Sequence, residues 1–169
     1  NFLVYVIGLL GFWICGFAFM FGGNLNVPAL GGSAGVVSHE FTISLFGHDF
    51  GLWGNAGSFL NSRVYDVGVF ALFLFQMVFM DTTATIPTGS MAERWSFKSF
   101  LIFGLFISMF VYPLFGNWVW GGGWLSQLAV NFHLGHGDVV FAGSSVLHML
   151  VGVAALAGAI VIGPRCGKD

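Results

Sequence analysis

The chain has 169 residues, of which 57% are hydrophobic and only 7% are charged, and its formal net charge is −2. Soluble domains carry about a quarter charged residues, so this composition excludes an ordinary soluble domain and indicates a membrane protein. The five lysines and arginines form no basic patch, which argues against a nucleic-acid partner. The two cysteines, Cys15 and Cys166, do not suggest a disulfide framework.

Four apolar runs are long enough to cross a bilayer, which takes about 20 apolar residues in a helix. The second run carries Asp81 and the fourth carries His148, whereas residues 2–23 and 99–137 carry no charged side chain. We therefore predict an all-α, polytopic membrane helix bundle. Its spans are expected at residues 2–22, 67–91, 98–119 and 140–163.

The basic residues predict the orientation of these spans. Arg94 and Lys98 lie in the turn at 92–98, and Arg165 and Lys168 follow the fourth span. Four spans put both segments on one side, and the positive-inside rule makes that side cytoplasmic. The loops at 23–66 and 121–139 are then extracytoplasmic.

The stretch "NWVWGGGWL" ends the third predicted span. Its tryptophans are typical of an interfacial aromatic belt, which is the simpler interpretation. The three glycines, however, allow the backbone to approach another group closely. Trp120 would then present its indole face at the rim, where such a face attracts cations.

Three side chains inside the spans are candidates for lining a conduit. Phe75 and Phe79 lie four residues apart and share a helix face, although most phenylalanine pairs belong to a core. His148 is costly at membrane depth and is by default a functional candidate; the alternative is a hydrogen bond to Ser144 or to a neighbouring helix. A helix starting near Val140 would put His148 about 12 Å along its axis.

The segment "NFHLGHGD" contains His133 and His136 close to Asp138. Two histidines in a glycine-rich loop lack a full ligand set, so we expect no metal and no other cofactor. A membrane enzyme that holds haem or a metal through His133, His136 and His148 is a rival interpretation; the expectation is that the chain is not an enzyme.

Longer stretches resemble a known family. The segment "MAERWSFKSFLIFGLFISMFVYPLFGNWVWGGGWLSQL", followed by "FAGSSVLHM", resembles the ammonium transporter (Amt/Mep/Rh) family. The segment "DTTATIPTGSMAERW" is similar to its bacterial branch. The resemblance implies homotrimers whose protomers are built from two inverted halves. This chain would supply helices two to five of one protomer.

The resemblance also implies roles for individual residues. Trp120 matches an outer tryptophan that recruits ammonium, Phe79 matches a gate phenylalanine, and Phe75 matches the vestibule aromatic one turn before it. His148 matches the first of two pore histidines. The implied partners are ammonium or ammonia, the lipid bilayer and a possible cytoplasmic regulatory protein.

The chain departs from the family pattern in its extent and at individual positions. The first helix and the second half are absent, so we expect a partial, inactive transporter. Val140 stands where the family has an aspartate that supports recruitment, and Val151 stands where it usually has glycine. Asp138, two residues before Val140, would point elsewhere on a helix and is a poor substitute for that aspartate. The alternative function is an ammonium sensor module fused to a signalling domain.

Overall fold

The computed structural model describes residues 2–22, 40–61, 67–165 and 167. Four of its helices are long and apolar enough to cross a membrane, which confirms the predicted helix bundle: α1 (Phe2–Phe21), α2 (Val67–Met91), α3 (Phe97–Val119) and α5 (Ser144–Ile162). A short helix, α4 (Leu128–Phe132), lies between the last two.

A β-hairpin that the sequence did not predict lies in the long segment between α1 and α2. Its antiparallel strands are β1 (Glu40–Leu45) and β2 (His48–Gly54). A short 3₁₀ turn, Ser58–Leu60, follows the hairpin. Residues 23–39 and 62–66 of the predicted extracytoplasmic loop lie outside the described residues.

The helix α5 begins four residues later than the sequence predicts. Residues 139–143 are not helical, and Gly143 has a φ of +82°, a left-handed conformation that does not continue a right-handed helix. His148 therefore lies four residues from the start of the helix, about 6 Å along its axis. The expectation of about 12 Å, which assumed a start at Val140, is wrong.

Three of the long helices contain a π-helical turn, at Phe12–Gly16, Ile107–Val111 and Ser144–Met149. Such turns are rare and are often found at functional sites. The first two face each other: a Cβ on Gly16 would lie 2.3 Å from the Ser108 carbonyl oxygen. Glycine thus allows α1 and α3 to approach closely, as small residues do between membrane helices.

The core of the bundle is aromatic and includes a buried polar bridge between α2 and α3. Phe12 is fully buried and stacks on Phe73, with ring centroids 5.6 Å apart, so α1 packs against α2. The hydroxyl of Tyr112 donates a hydrogen bond to Gln76 Oε1 at 2.7 Å. This bond fixes the rotation of α2 relative to α3, because an unpaired buried amide is costly.

One end of the bundle gathers basic side chains, and we call it the basic end. The guanidinium of Arg94 donates to the Gly163 carbonyl oxygen, and that of Arg165 donates to the Gly89 carbonyl oxygen at 3.4 Å. Arg165 also lies 3.9 Å from the Glu93 carboxylate. The α2–α3 turn and the end of α5 are therefore on the same side, and Trp120 lies at the other end, the tryptophan end.

The helix α5 packs against α2 along one face only. The hydroxyl of Ser90 donates to the Ala155 carbonyl oxygen at 3.1 Å, and Val146, Leu147 and Val151 are buried. The opposite face is apolar and exposed along its length at Met149, Val153, Leu156 and Ile160. In the described part of the chain, nothing covers this face.

Candidate functional site

A row of three aromatic rings runs along α2 to the end of α3. The rings of Phe75 and Phe79 lie 4.8 Å apart, on one helix face as their spacing predicts. The ring of Phe79 meets the indole of Trp120 edge to face, at 5.9 Å and 80°. Phe75 is 58% exposed, so the row is open on the side away from the bundle. We call Phe75, Phe79 and Trp120 the aromatic row.

Two tryptophans at the end of α3 are held in different directions. The indole Nε1 of Trp118 donates to the Leu52 carbonyl oxygen of β2 at 2.9 Å. The indole Nε1 of Trp120 donates to the Val140 carbonyl oxygen, ahead of α5, at 2.7 Å. Trp118 therefore holds the hairpin, whereas Trp120 connects α3 to the segment that leads into α5. Both do more than anchor at an interface.

The glycines after Trp120 are required by close contacts. A Cβ on Gly121 would lie 2.0 Å from the Met20 carbonyl oxygen, and one on Gly123 would lie 2.6 Å from Asn117 Oδ1. The amide of Asn117 also donates to the Met20 carbonyl oxygen, at 3.1 Å. The turn is therefore pressed against the end of α1, and this contact fixes the position of Trp120.

Gly143 connects the aromatic row to α5. A Cβ at this position would lie 3.4 Å from Trp120 Cη2 and 3.5 Å from Phe79 Cε1. Its carbonyl oxygen accepts hydrogen bonds from the backbone N–H groups of Leu147, at 2.8 Å, and of His148, at 3.0 Å. The structure thus brings the three aromatic residues together and puts His148 one turn into the helix that starts against them. The imidazole of His148 is exposed.

Asp138 lies at the start of α5 without being part of a helix. Its backbone N–H donates to the Leu125 carbonyl oxygen at 3.1 Å, and its Oδ2 accepts from the Ser145 hydroxyl at 3.5 Å. The expectation that Asp138 points elsewhere and is a poor substitute for the family aspartate assumed that a helix runs through this segment. That assumption is wrong, because the segment loops back onto the first turn of α5.

The loop histidines do not converge on a metal site. His133 and His136 are exposed, and His133 is in the left-handed conformation that ends α4. Among the residues that the structure describes, no three side chains of histidine, cysteine, aspartate or glutamate come together. No contact in this part of the chain therefore favours the haem or metal enzyme.

Sequence reasoning missed Glu40, which is half-buried where β1 meets the end of α3. Both of its carboxylate oxygens are shielded from solvent and lack a well-aligned hydrogen bond within the described residues. Burial raises the pKa of Glu40 to about 7, and the neighbouring Asn117 side chain lowers it by less. No local sequence signal marks this residue, because the hairpin that buries it lies in a segment that the sequence predicted to be a loop.

These observations define the class of protein. Four long apolar helices carry the aromatic row, which starts at Trp120 at one end of the bundle. An indole can attract a cation. The row adjoins α5, the helix that carries the exposed His148. The fold and the described contacts are those of a polytopic membrane protein with a row of aromatic side chains along its helix bundle.

The family follows from comparison with known proteins. The model of the Ammonium Transporter Family matches residues 1–169, and the chain belongs to this family. It is 37% identical over 170 residues to ammonium transporter Amt2 of Archaeoglobus fulgidus, covering 99% of this chain and 31% of the relative. It is also 37% identical over 172 residues to ammonium transporter 1 member 2 of Oryza sativa subsp. japonica, covering 99% and 30%.

A solved structure shares the fold. The chain named "Sensor Amt Protein" is 34% identical and aligns with a TM-score of 0.73, covering 99% of this chain and 36% of that one. This chain thus spans about a third of the length of the proteins it matches. The curated relatives are named as transporters, not as enzymes.

Proposed function

We propose that this chain forms part of a conduit that moves ammonium and ammonia across the cell membrane. The observation that carries the proposal is the contact of Phe79 with Trp120, with Gly143 of the α5 start against both rings. This contact brings together the indole of Trp120, which attracts a cation, the ring of Phe79, which forms an apolar gate, and the helix that carries His148. Family membership supplies the solute.

The chemistry of the row fits this solute. A bare cation in hydrocarbon is very costly, whereas neutral ammonia enters at small cost. Trp120 attracts the cation at the mouth through its indole face. Phe79 and Phe75 then exclude water, so ammonium releases its proton to water at the tryptophan end and the solute passes as ammonia. His148 offers its imidazole as a polar partner inside an otherwise apolar lane.

The described residues line the conduit on one side. Phe75 and the apolar face of α5 are exposed, and both need a cover of helices or lipid. We propose that further helices of a complete protomer cover the aromatic row, and that complete protomers assemble as trimers. Residues 1–169 alone are then inactive and form no stable trimer.

The membrane orientation follows from the same proposal. Arg94 and Arg165 meet at the basic end, which we assign to the cytoplasm by the positive-inside rule. The tryptophan end, with the hairpin and residues 121–139, then faces outwards and receives ammonium. A cytoplasmic regulatory protein would act at the basic end.

Uptake by a hybrid protein tests the proposal. Residues 1–169 replace the matching segment of Archaeoglobus fulgidus Amt2, and this grafted transporter is placed in proteoliposomes that are supplied with radiolabelled methylammonium. We expect uptake that His148→Ala and Phe79→Ala lower at least about tenfold, because each removes part of the lane. The control is Val161→Ala, at an exposed residue near the basic end. Equal uptake by all variants would contradict the proposal.

A sensor is the second candidate. It is favoured by the similarity to the solved chain whose name describes a sensor. A sensor module binds ammonium without conducting it. The same graft distinguishes the two: saturable ammonium binding with no uptake above that of empty liposomes favours the sensor.

A further inference from the structure

Asp138 is a carboxylate that the proposed conduit does not yet use. We infer that Asp138 supplies the negative charge that favours a cation at Trp120, and that it also fixes the start of α5. The inference rests on the proposed function for its solute. The contacts on which it depends are those of Asp138, Val140 and Ser145.

Asp138 lies close to the backbone carbonyl that Trp120 contacts. The Trp120 indole donates to the carbonyl oxygen of Val140 at 2.7 Å. Asp138 precedes Val140 by two residues, so their Cα atoms lie within about 7 Å of each other. The Asp138 backbone is tied to the turn after Trp120 through the Leu125 carbonyl oxygen at 3.1 Å. The Asp138 backbone is thus held beside the turn that follows Trp120.

The negative charge of Asp138 offsets a partial positive charge at the start of α5. The helix α5 starts at the tryptophan end, and its first turn has unpaired N–H groups and a partial positive charge. That charge disfavours a cation at Trp120. The residue before the helix, Gly143, has no side chain to cap it. Asp138 reaches the first turn at Ser145, at 3.5 Å, and its negative charge offsets the helix end.

The other carboxylates described at this end are less suited to this role. Burial raises the pKa of Glu40 to about 7, so at neutral pH it is protonated in a large share of molecules. Asp49 is on the exposed hairpin, where its carboxylate accepts a hydrogen bond from the Ser44 hydroxyl. Val140 itself is apolar and packs against the core. Among the carboxylates described at this end, Asp138 is therefore the one that contacts α5 and lies two residues from the Val140 carbonyl to which Trp120 donates.

The test compares Asp138→Asn with Asp138→Glu and with Asp49→Asn in the grafted transporter. Asp49→Asn removes the same charge from the same end and is the matched control. We expect Asp138→Asn to raise the KM for methylammonium about fivefold while the maximal rate stays within about twofold of the parent rate. The reason is that the carboxylate attracts the cation before methylammonium loses its proton. Asp138→Glu should restore the parent KM.

Binding is measured separately from flux. The grafted transporter in lipid nanodiscs is titrated with ammonium chloride against sodium chloride. Occupancy is reported by the part of the tryptophan fluorescence response that Trp120→Leu removes. Asp138→Asn should weaken this response about fivefold. If the graft binds ammonium but does not transport it, the proposed transport function is contradicted, whereas the role of Asp138 in binding is not. An unchanged KM and binding in Asp138→Asn, an equal loss in Asp49→Asn, or failure of Asp138→Glu to restore binding would overturn the inference.

Discussion

The indole of Trp120 donates its N–H to the carbonyl oxygen of Val140, 2.7 Å away, across the mouth of the aromatic row. The acceptor is backbone, so this bond forms whichever side chain stands at position 140. The bond holds the edge of the indole, and we propose that a cation is attracted to one of its faces. The position of Trp120 thus depends on the path of the chain from Asp138 to Gly143.

Trp120→Leu tests the indole face. It should weaken ammonium binding by on the order of 1 kcal/mol, about fivefold in Kd, because the cation–π attraction is lost. Competition between ammonium and sodium for the grafted transporter measures the change. The control is Trp118→Leu, which loses the bond to Leu52 and should lower thermal stability without changing that competition. Equal competition in parent and Trp120→Leu would count against a cation site at this indole.

Gly143→Ala tests the packing where the row meets α5. The new methyl group would lie 3.2–3.5 Å from atoms of Leu147, Trp120 and Phe79, at a φ of +82° that costs an L-residue about 1–2 kcal/mol. We expect lower thermal stability and slower methylammonium uptake.

A matched control for that substitution is Gly89→Ala, inside α2. A Cβ there meets nothing within 4 Å, so alanine should stabilise the helix by about 0.5–1 kcal/mol. Gly143→Ala should lower both the melting temperature and the uptake rate. Gly89→Ala should raise the melting temperature and should not slow uptake. A stable, fully active Gly143→Ala protein would show that the close contact is unimportant.

Tyr112→Phe tests the buried bridge to Gln76. Removal of the hydroxyl leaves the Gln76 amide oxygen buried and unpaired, which should cost about 1–3 kcal/mol of unfolding free energy. The double variant Tyr112→Phe with Gln76→Leu should recover part of that loss, because no polar group is left unpaired. Denaturation in detergent measures both. Additive losses in the double variant would mean that the bond contributes little.

Glu40 makes the stability of the hairpin depend on pH. Its pKa is raised to about 7 in the folded protein, against 4.5 for an unburied glutamate. Between these values the folded state holds a proton that the unfolded state has released, so stability is largest below about pH 4.5 and falls as the pH rises through about 7. Glu40→Gln should remove this part of the dependence.

The measurement is the melting temperature of the grafted transporter between about pH 5 and about pH 8. The parent should melt at a lower temperature as the pH rises, and Glu40→Gln should show a smaller decrease. Glu93→Gln, at an exposed carboxylate of the basic end, serves as the control and should follow the parent. An identical slope in the parent and Glu40→Gln would exclude Glu40 as the cause.

Composition and local spacing were sufficient to predict four membrane helices and the shared face of Phe75 and Phe79. Both depend on interactions within one segment: apolar length decides whether a helix can span lipid, and four residues make about one helical turn. The motif around Trp120 was also readable, because glycine next to tryptophan signals close backbone contact. The roles assigned to Trp120, Phe75, Phe79 and His148 remain predictions.

Tertiary structure decided what lies far apart in sequence. The hairpin buries Glu40 against α3, and the segment after α4 folds back so that Asp138 reaches Ser145. The start of α5 at Ser144 depends on the left-handed Gly143, which lies against the rings of Phe79 and Trp120. Local propensity does not specify such contacts, since their free energy comes from groups that meet only when the helices are assembled.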